Sequence, residues 1–182
     1  LALPPPSRRA EGMKGDLDEM EDMIDEYLAF ARGEAGEAMQ MVSIPEMLRR
    51  AADDARRAGP QVTLEAPDEL DAQLRPLAFR RALNNLAGNA ASQGEHVRLS
   101  ARPLPSGGIE IAVEDDGPGI PEDMHEEAFR PFSRLDASRN QNSKGVGLGL
   151  AIARDVARGH GGDITLSRSD LGGLKASIRL PG

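Results

Sequence analysis

The order in which helical and strand patterns follow one another between residues 43 and 182 constrains the fold of this chain most. Alternation of apolar and polar residues predicts strands over residues 61–66, 71–75, 96–104, 108–115, 163–169 and 174–181. The predicted helices begin at Ser43, Pro76, Pro121 and about Gly147. Strands joined mostly by hairpins and interleaved with helices predict an α+β fold, a two-layer α/β sandwich in which helices cover one mixed sheet.

A polar stretch containing Gly33 and Gly36 separates this part of the chain from an earlier helix, and we interpret residues 36–42 as a linker. At its end, Ser43 and Glu46 have the spacing of a capping box, with Pro45 in the first turn of the helix that follows. The compact domain is therefore predicted to cover residues 43–182.

The earlier helix, from about residue 13 to residue 33, carries apolar residues at alternating spacings of four and three. They are Met13, Leu17, Met20, Ile24, Tyr27 and Ala31, and many of the positions between them are Asp or Glu. Such a heptad seam is typical of helices that pair with another helix. Its periodicity alone fits equally a dimerisation helix that precedes the sandwich and a helix packed on its own domain.

Charge and composition exclude several classes of function. The chain has 22 Lys and Arg against 30 Asp and Glu, a net charge of -8, and only 3% aromatic residues, which argues against nucleic acid as a partner. It has no cysteine, so disulfides, thiolate zinc sites and cysteine nucleophiles are excluded. Its apolar runs fall far short of the ~20 residues that span a bilayer, so any membrane attachment is expected through a segment outside this sequence.

Two asparagines share one face of the helix that Pro76 opens. Arg81, Asn85 and Asn89 recur every fourth residue, whereas the apolar residues of the helix lie on another face. Asparagine is a mediocre helix former, so its repetition points to a role beyond helix formation. Two solvated amides on an exposed face are the simpler interpretation, but a neutral amide oxygen is also a suitable Mg²⁺ ligand beside substrate phosphates.

Glycines recur immediately before the last helix, at Gly145, Gly147 and Gly149. Such glycines let backbone N–H groups and a helix N-terminus approach a polyphosphate, although the same spacing also fits a tight packing turn. The sequence matches neither the Walker A motif, since no Gly-Lys-Ser/Thr follows, nor the dinucleotide fingerprint, since the neighbouring strands do not form a βαβ unit.

The stretch VEDDGPGIPE, residues 113–122, places three consecutive acids before a further glycine turn. If phosphates bind at the later glycines and a metal binds near Asn89, Asp115 can lie at the other end of the nucleotide. There a carboxylate accepts a hydrogen bond from the exocyclic amine of adenine and rejects guanine, whose carbonyl would face it unpaired. Gly117 and Gly119 let the backbone turn lie close to the purine.

Four motifs in this order resemble those of the ATP-binding domain of sensor histidine kinases, which has the Bergerat fold. NNLAGNA resembles the N box, DDGPGI the first glycine box, FRPF the F box and GVGLGL the second glycine box. The resemblance covers residues 43–182 and is strongest to the osmosensor, EnvZ-like branch, whose final glycine turn is similar to Gly172-Gly173. It implies ATP and Mg²⁺ as ligands. It also implies that residues 1–35 are a truncated dimerisation and histidine-phosphotransfer hairpin, with the heptad helix as its second helix.

The same resemblance implies roles for individual residues. Asn89 is implied as the Mg²⁺ ligand, Asn85 as its phosphate-side or metal-side neighbour, and Asp115 as the group that reads adenine. The complete implied nucleotide site comprises Asn85, Asn89, Asp115, Gly117, Gly119, Ile120, Phe132, Arg134, Lys144, Gly145, Val146, Gly147, Leu148, Gly149 and Leu150.

A mobile lid over residues 133–144, anchored by Phe129 and Phe132, is implied as well. Its basic residues are Arg134, Arg139 and Lys144. Phosphoryl transfer depends mainly on positioning and charge neutralisation, so cations on a loop that closes over a triphosphate suit the chemistry.

The sequence departs from the family pattern at the phosphoacceptor. The family's reactive histidine is followed by an acidic residue and a Thr-Pro pair, and none of His96, His125 and His160 has this context. Each is expected to be structural or solvated, and the segment that carries the phosphoacceptor is expected to lie outside this sequence.

Two smaller departures remove polar contacts to nucleotide. After Asn89 the family usually has a basic residue and an aromatic residue or histidine, and this chain has Ser92 and Gln93. In the second glycine box a small hydroxyl residue is common where this chain has Val146. We therefore expect weaker nucleotide affinity than in a typical member, offset in part by Lys144.

As a whole, the resemblance implies the catalytic, ATP-binding part of a bacterial sensor histidine kinase, a phosphotransferase that is incomplete without its histidine. The parent protein would transfer the γ-phosphoryl group of ATP to that histidine and then to the receiver domain of a response regulator. A homodimer through the heptad helix and a cytoplasmic location, as part of an inner-membrane sensor, are implied with it. The alternatives are a non-catalytic nucleotide-binding or degenerate phosphotransfer scaffold that docks a partner protein, and an ATPase or serine kinase of the same fold, which the heptad helix and F box disfavour.

Overall fold

The chain divides into two compact units, Leu1–Gly36 and Glu37–Gly182. The computed structural model describes residues 36–105, 107–133 and 147–182. The predicted heptad helix and nearly all of the predicted lid lie outside the described residues.

Apart from the additional strand β1, helices and strands follow the order that the sequence predicts. The strands are β1 (Gln40–Ser43), β2 (Gln61–Glu65), β3 (Asp71–Leu74), β4 (His96–Pro103), β5 (Ile109–Asp115), β6 (Asp163–Arg168) and β7 (Leu174–Leu180). The helices are α1 (Ile44–Arg57), α2 (Pro76–Gln93), α3 (His125–Ala128) and α4 (Gly149–Gly159), and a 3-10 turn, Glu122–Met124, leads into α3.

One five-stranded sheet, in the order β2-β4-β5-β7-β6, forms one layer of the Glu37–Gly182 unit. The pair β2–β4 is parallel and the remaining pairs are antiparallel, so the sheet is mixed. The β4–β5 hairpin sets the register from Val97 opposite Asp115 to Pro103 opposite Ile109. The predicted two-layer sandwich with one mixed sheet is confirmed.

The core lies between this sheet and the helices. Alternate residues of β4 and β5 are buried toward the helical layer, and α2 and α4 contribute the facing apolar side chains. The members that are at most 3% exposed include Val97, Leu99, Ile111, Val113, Phe79, Leu83, Leu86, Ile152 and Val156. Burying each large side chain contributes roughly 1.5–3 kcal/mol to the free energy of folding. The packing of this layer therefore determines the positions of α2 and α4 beside the end of β5.

The predicted linker contains a strand that the sequence analysis missed. Residues Gln40–Ser43 form β1, which pairs antiparallel with β3 from Gln40 opposite Leu74 to Ser43 opposite Asp71. Strand β1 has four residues without a clear alternation of apolar and polar side chains, and it is paired with β3, about 30 residues later in the chain. The Glu37 carboxylate also accepts hydrogen bonds from two N–H groups in the first turn of α2, at 2.7 and 3.1 Å.

The predicted capping box is wrong. Ser43 occupies the N-cap position of α1, but its side chain makes no capping hydrogen bond. The reason is the pairing of Ser43 in β1, after which the N–H of Ile44 donates to the carbonyl oxygen of Leu70 at 2.9 Å. Pro45 does lie in the first turn, as predicted.

None of the helices in the described ranges combines the length and the apolar character needed to cross a membrane.

Candidate functional site

Asp115 ends β5 and is held by two backbone N–H groups. Its Oδ1 atom accepts hydrogen bonds from the N–H of Gly117, at 2.9 Å, and of Leu174, at 3.1 Å. Only 5% of the residue is exposed, and this burial raises the pKa of the carboxyl group, although the two N–H groups act in the opposite sense. No described residue donates a hydrogen bond to Oδ2, so this oxygen is available to a donor on a ligand.

The two acids beside Asp115 have structural partners. Burial would raise the pKa of Glu114, but Arg98 at 2.7 Å and Lys175 at 3.4 Å outweigh it and lower that pKa. Asp116 accepts a hydrogen bond from the backbone N–H of His96 at 2.9 Å and meets its ring Nδ1 at 2.6 Å, and these contacts lower the pKa of Asp116. Of the three acids, Asp115 alone keeps an oxygen without a described partner.

Gly117 and Gly173, beside Asp115, leave room for nothing larger than hydrogen. A Cβ atom on Gly117 would lie 2.6 Å from the carbonyl oxygen of Gln93, and one on Gly173 would overlap Asp115 Oδ1. Gly119 has φ 71°, and a Cβ atom there would lie 3.3 Å from the carbonyl oxygen of Gly173. The predicted site omitted Gly173, although its signal is present in the sequence as the Gly-Gly pair before the last strand.

Asn85 and Asn89 meet the start of α4. A Cβ atom on Gly149 would lie 3.3 Å from Asn89 Nδ2 and 3.5 Å from Asn85 Cβ. Asn89 is exposed and Asn85 is half-buried, so the helix face that the two asparagines share is accessible to solvent beside the start of α4. The structure thus brings together two predicted site residues from α2 and the first residue of α4.

The Nδ2 atom of Asn85 is buried and has no hydrogen-bond partner in the part of the chain that the structure describes. A buried donor without an acceptor costs roughly 1–3 kcal/mol, so the position favours a ligand that supplies an oxygen. Phosphate oxygens meet that requirement, and the N-terminus of α4, which has no side-chain cap, offers further N–H groups beside it.

The donor set also fits Mg²⁺ held jointly with phosphate. Within the described ranges no group of three or more His, Cys, Asp or Glu side chains is placed to hold a metal ion. A metal at Asn89 would therefore take one amide oxygen from the protein and its other ligands from phosphate and water, which is how Mg²⁺ is commonly bound.

The backbone before α4 is shaped by a left-handed glycine. Gly147 has φ 76°, and a Cβ atom there would lie 2.8 Å from the carbonyl oxygen of Ser133. The N–H of Phe132, itself at φ 64°, donates to the carbonyl oxygen of Gly147 at 3.0 Å. Leu148 is buried at the N-cap of α4, and Leu150 follows Gly149 in the first turn.

The two aromatic residues of the F box differ in their surroundings. Phe129 is buried, and the Arg154 guanidinium carbon lies 4.2 Å from its ring centroid. Phe132 is 54% exposed. Arg134, Arg139, Lys144, Gly145 and Val146 lie outside the described residues, so their predicted roles stay predictions.

Each histidine makes a contact within the fold. His125 Nε2 lies 3.0 Å from the carbonyl oxygen of Ile120, which follows the glycine turn. His160 is buried, accepts a hydrogen bond from the Arg75 N–H at 2.9 Å and lies 2.7 Å from the carbonyl oxygen of Val156. His96 pairs with Asp116. These contacts agree with the structural roles expected from the sequence.

Ser92 directs its hydroxyl group back to its own helix, where it donates to the carbonyl oxygen of Asn89 at 2.8 Å. The Gln93 amide nitrogen donates in turn to the Ser92 hydroxyl at 3.2 Å. Both side chains therefore bond locally at the end of α2.

Residues 75–182 match the family model described as "Histidine kinase-, DNA gyrase B-, and HSP90-like ATPase". The chain belongs to this ATPase family. The match begins just before α2 and includes both asparagines, the glycine turn at Asp115 and α4. It confirms the resemblance seen in the four motifs.

Individual relatives include sensor histidine kinases. The chain is 35% identical over 176 residues to the sensor histidine kinase GtrS of Pseudomonas aeruginosa, covering 96% of this chain and 36% of that protein. It is 32% identical over 183 residues to CpxA of Escherichia coli, covering 96% and 40%. The crystal structure of the ATP binding domain of PrrB from Mycobacterium tuberculosis is 34% identical with a TM-score of 0.65, covering 79% of this chain and 97% of that one. The chain thus spans less than half the length of the curated relatives.

Proposed function

We propose that this chain is the ATP-binding catalytic part of a sensor histidine kinase, and that it presents MgATP to a histidine on another segment. The observation that carries the proposal is the arrangement along α2. Asn85 and Asn89 face the start of α4, and the end of the same helix packs against the glycine turn of Asp115. One rigid helix therefore spans a site for phosphates and a site for a purine.

Each described residue then has a defined task. Asp115 Oδ2 accepts a hydrogen bond from the adenine amine, while Asn85 Nδ2 and the N–H groups at the start of α4 donate to phosphate oxygens. Mg²⁺, held by Asn89, would supply charge neutralisation at the phosphates. These contacts orient the γ-phosphorus toward the approaching histidine.

In the transfer step, a nitrogen of the acceptor histidine forms a bond to the γ-phosphorus. The bond from that phosphorus to the oxygen it shares with the β-phosphate breaks, and ADP leaves with the electron pair. The phosphoryl group then passes to the receiver domain of a response regulator. The contacts of His96, His125 and His160 within the fold support an acceptor outside these three residues.

The setting proposed for this activity is a homodimer formed through the heptad helix, in the cytoplasmic part of a membrane sensor. GtrS and CpxA, both named sensor histidine kinases, are similar to this chain over 96% of its length, which supports the kinase activity for which this setting is proposed.

The test is autophosphorylation of the full-length parent protein with ATP that carries a radioactive γ-phosphoryl group. We expect label that survives alkali and is lost in acid, as a phosphohistidine is, and a loss of at least about tenfold in the Asn89→Ala and Asp115→Asn variants. Absence of label from folded, dimeric wild-type protein would favour the non-catalytic scaffold.

A further inference from the structure

Asp116 ties the glycine turn to the start of β4 through three contacts with one residue. Its Oδ1 atom accepts the N–H of His96 at 2.9 Å, and its Oδ2 atom meets His96 Nδ1 at 2.6 Å. In the other direction, the N–H of Asp116 donates to the carbonyl oxygen of His96 at 3.2 Å. The side chain and the backbone of Asp116 are therefore both fixed by His96.

The end of α2 packs into the same junction. Gly94 ends the helix, and a Cβ atom there would overlap Asp116 Oδ1 and lie 3.2 Å from Asp115 Cβ. A Cβ atom on Gly117 would lie 2.6 Å from the carbonyl oxygen of Gln93. Neither side of the contact has room for a methyl group, so a displacement of the turn would have to displace the end of α2 as well.

This junction lies between the two halves of the nucleotide site. The helix that ends at Gln93 carries Asn85 and Asn89, and Asp115 immediately precedes Asp116. Asp115 is held by the N–H of Leu174 and by its pairing with Val97 of β4. Asp116 adds a side-chain restraint from the first residue of β4, at the point where the end of α2 packs against the turn.

We propose that Asp116 is a positioning residue for base selection. It holds Asp115 at the distance from α2 at which a nucleotide bound at Asn85 and Asn89 places its adenine against the Asp115 carboxylate. This inference rests on the proposed nucleotide site. Discrimination between adenine and guanine depends on where the acceptor oxygen of Asp115 lies, because a displaced carboxylate neither bonds the adenine amine well nor opposes the guanine carbonyl. A residue that only stabilised the fold would lower affinity for both nucleotides equally.

The test compares dissociation constants of this chain for ATP and GTP by titration calorimetry, using folded variants. For wild type we expect ATP to bind at least about tenfold more tightly than GTP, since the guanine carbonyl and the Asp115 oxygen would face each other unpaired. Asp116→Ala should reduce that ratio at least about fivefold. Asp116→Asn should keep it within about twofold, since its amide oxygen still accepts the His96 N–H and its NH₂ group suits the other tautomer of the ring.

Two further variants make the comparison decisive. Glu110→Ala removes a buried carboxylate that pairs with Arg102 and Arg179 at the opposite end of β5, so it should lower the thermal midpoint and leave the ratio unchanged. Gly94→Ala adds a methyl group against Asp116 Oδ1 at a backbone position, φ -126°, that alanine adopts freely, and should reduce the ratio as Asp116→Ala does.

If folded Asp116→Ala kept the wild-type ratio of ATP to GTP affinity, the inference would be overturned. If Asp116→Ala does not fold, an unchanged ratio in Gly94→Ala would overturn it. Wild type that binds neither nucleotide would instead overturn the proposed function. Wild type that binds ATP and GTP equally would leave that function standing but overturn the role of Asp116 in base selection.

Discussion

The Oδ1 atom of Asp115 lies 3.1 Å from the backbone nitrogen of Leu174, so the first residue of β7 holds the acid at the end of β5. The N–H of Gly173 also donates to the Asp115 carbonyl oxygen at 3.1 Å. Both bonds come from a turn in which residue 173 has no room for a side chain. The position of the acid therefore depends on the last strand as well as on the glycine turn that follows it.

Gly173→Ala should weaken nucleotide binding at least about tenfold, because overpacking of 1–3 kcal/mol would be relieved by displacing the carboxylate. The added Cβ atom would overlap Asp115 Oδ1 and lie 2.5 Å from the nitrogen of Gly117. Titration calorimetry with ATP measures the effect. The matched control is Gly172→Ala, because the Cβ atom added there has no atom within 4 Å. Since Gly172 has φ 116°, this substitution should lower the free energy of unfolding by roughly 1 kcal/mol and leave ATP affinity unchanged. Wild-type affinity in Gly173→Ala would contradict the account.

Asn85→Ala should weaken ATP binding while leaving the free energy of unfolding of the nucleotide-free protein unchanged or about 0.5 kcal/mol higher. The reason is that it removes a buried donor without a described partner and replaces a mediocre helix former by the best one. Thermal unfolding with and without ATP checks both effects. Asn84→Ala, exposed on the same helix, should change intrinsic stability only, with the ATP-induced shift retained. A stability loss above about 1 kcal/mol in Asn85→Ala would assign Asn85 a structural role.

Asn89→Ala should abolish most of the increase in ATP affinity that Mg²⁺ produces, because the amide is the protein's proposed ligand to the metal. Affinity without magnesium should change less than about threefold, since ATP alone makes its contacts at Asn85 and α4. Calorimetric titrations in magnesium and in a chelator separate the two quantities. An equal loss under both conditions would indicate that Asn89 contacts the nucleotide directly.

Asp163→Asn should lower stability at neutral pH and lose its effect in acid. Burial would raise the pKa of Asp163, but Arg154 at 3.0 Å and Arg158 at 3.2 Å outweigh it and lower the pKa to about 2. A carboxyl group whose pKa is depressed on folding stabilises the protein above its unfolded pKa, and this contribution disappears as the pH falls from about 4 to about 2.

Because the Asp163 side chain is 44% exposed, solvent screening limits the expected loss at pH 7 to about 1 kcal/mol. Denaturant unfolding of wild type and Asp163→Asn at pH 7 and pH 2.5 measures the difference. Asp155→Asn, which removes a carboxylate that is exposed and has no ion pair with a described residue, is the control. A difference between wild type and Asp163→Asn that persisted undiminished at pH 2.5 would contradict the assignment.

Local patterns predicted the elements that local interactions determine. The periodicity from Pro76 to Gln93 gave α2 with both asparagines on one face, and alternation gave the β4–β5 hairpin. Strand β1 was missed because it has four residues and forms only by pairing with β3. The capping box failed for the same reason, since strand pairing placed Ser43 where its side chain does not cap the helix.

The candidate site likewise combines residues that a local motif indicates with contacts that only the tertiary structure shows. Asp115 was identified from its motif, but its contact with Leu174 joins residues 59 positions apart, and no local pattern shows it. The different surroundings of Glu114, Asp115 and Asp116 are also tertiary. Alternation along β5 turns Glu114 and Asp115 to opposite faces, and Arg98 and Lys175 on the neighbouring strands pair with Glu114. The motif indicated the three acids, and their contacts in the structure show which of them have protein partners for both oxygens.

The most direct test of the nucleotide site is titration of this chain with ATP, in magnesium and in a chelator, beside the Asp115→Asn variant. We expect binding that Mg²⁺ strengthens and that Asp115→Asn weakens at least about tenfold, because the amide would present a donor to the adenine amine. Folded wild-type protein that binds no ATP, or Asp115→Asn that binds as tightly as wild type, would contradict it.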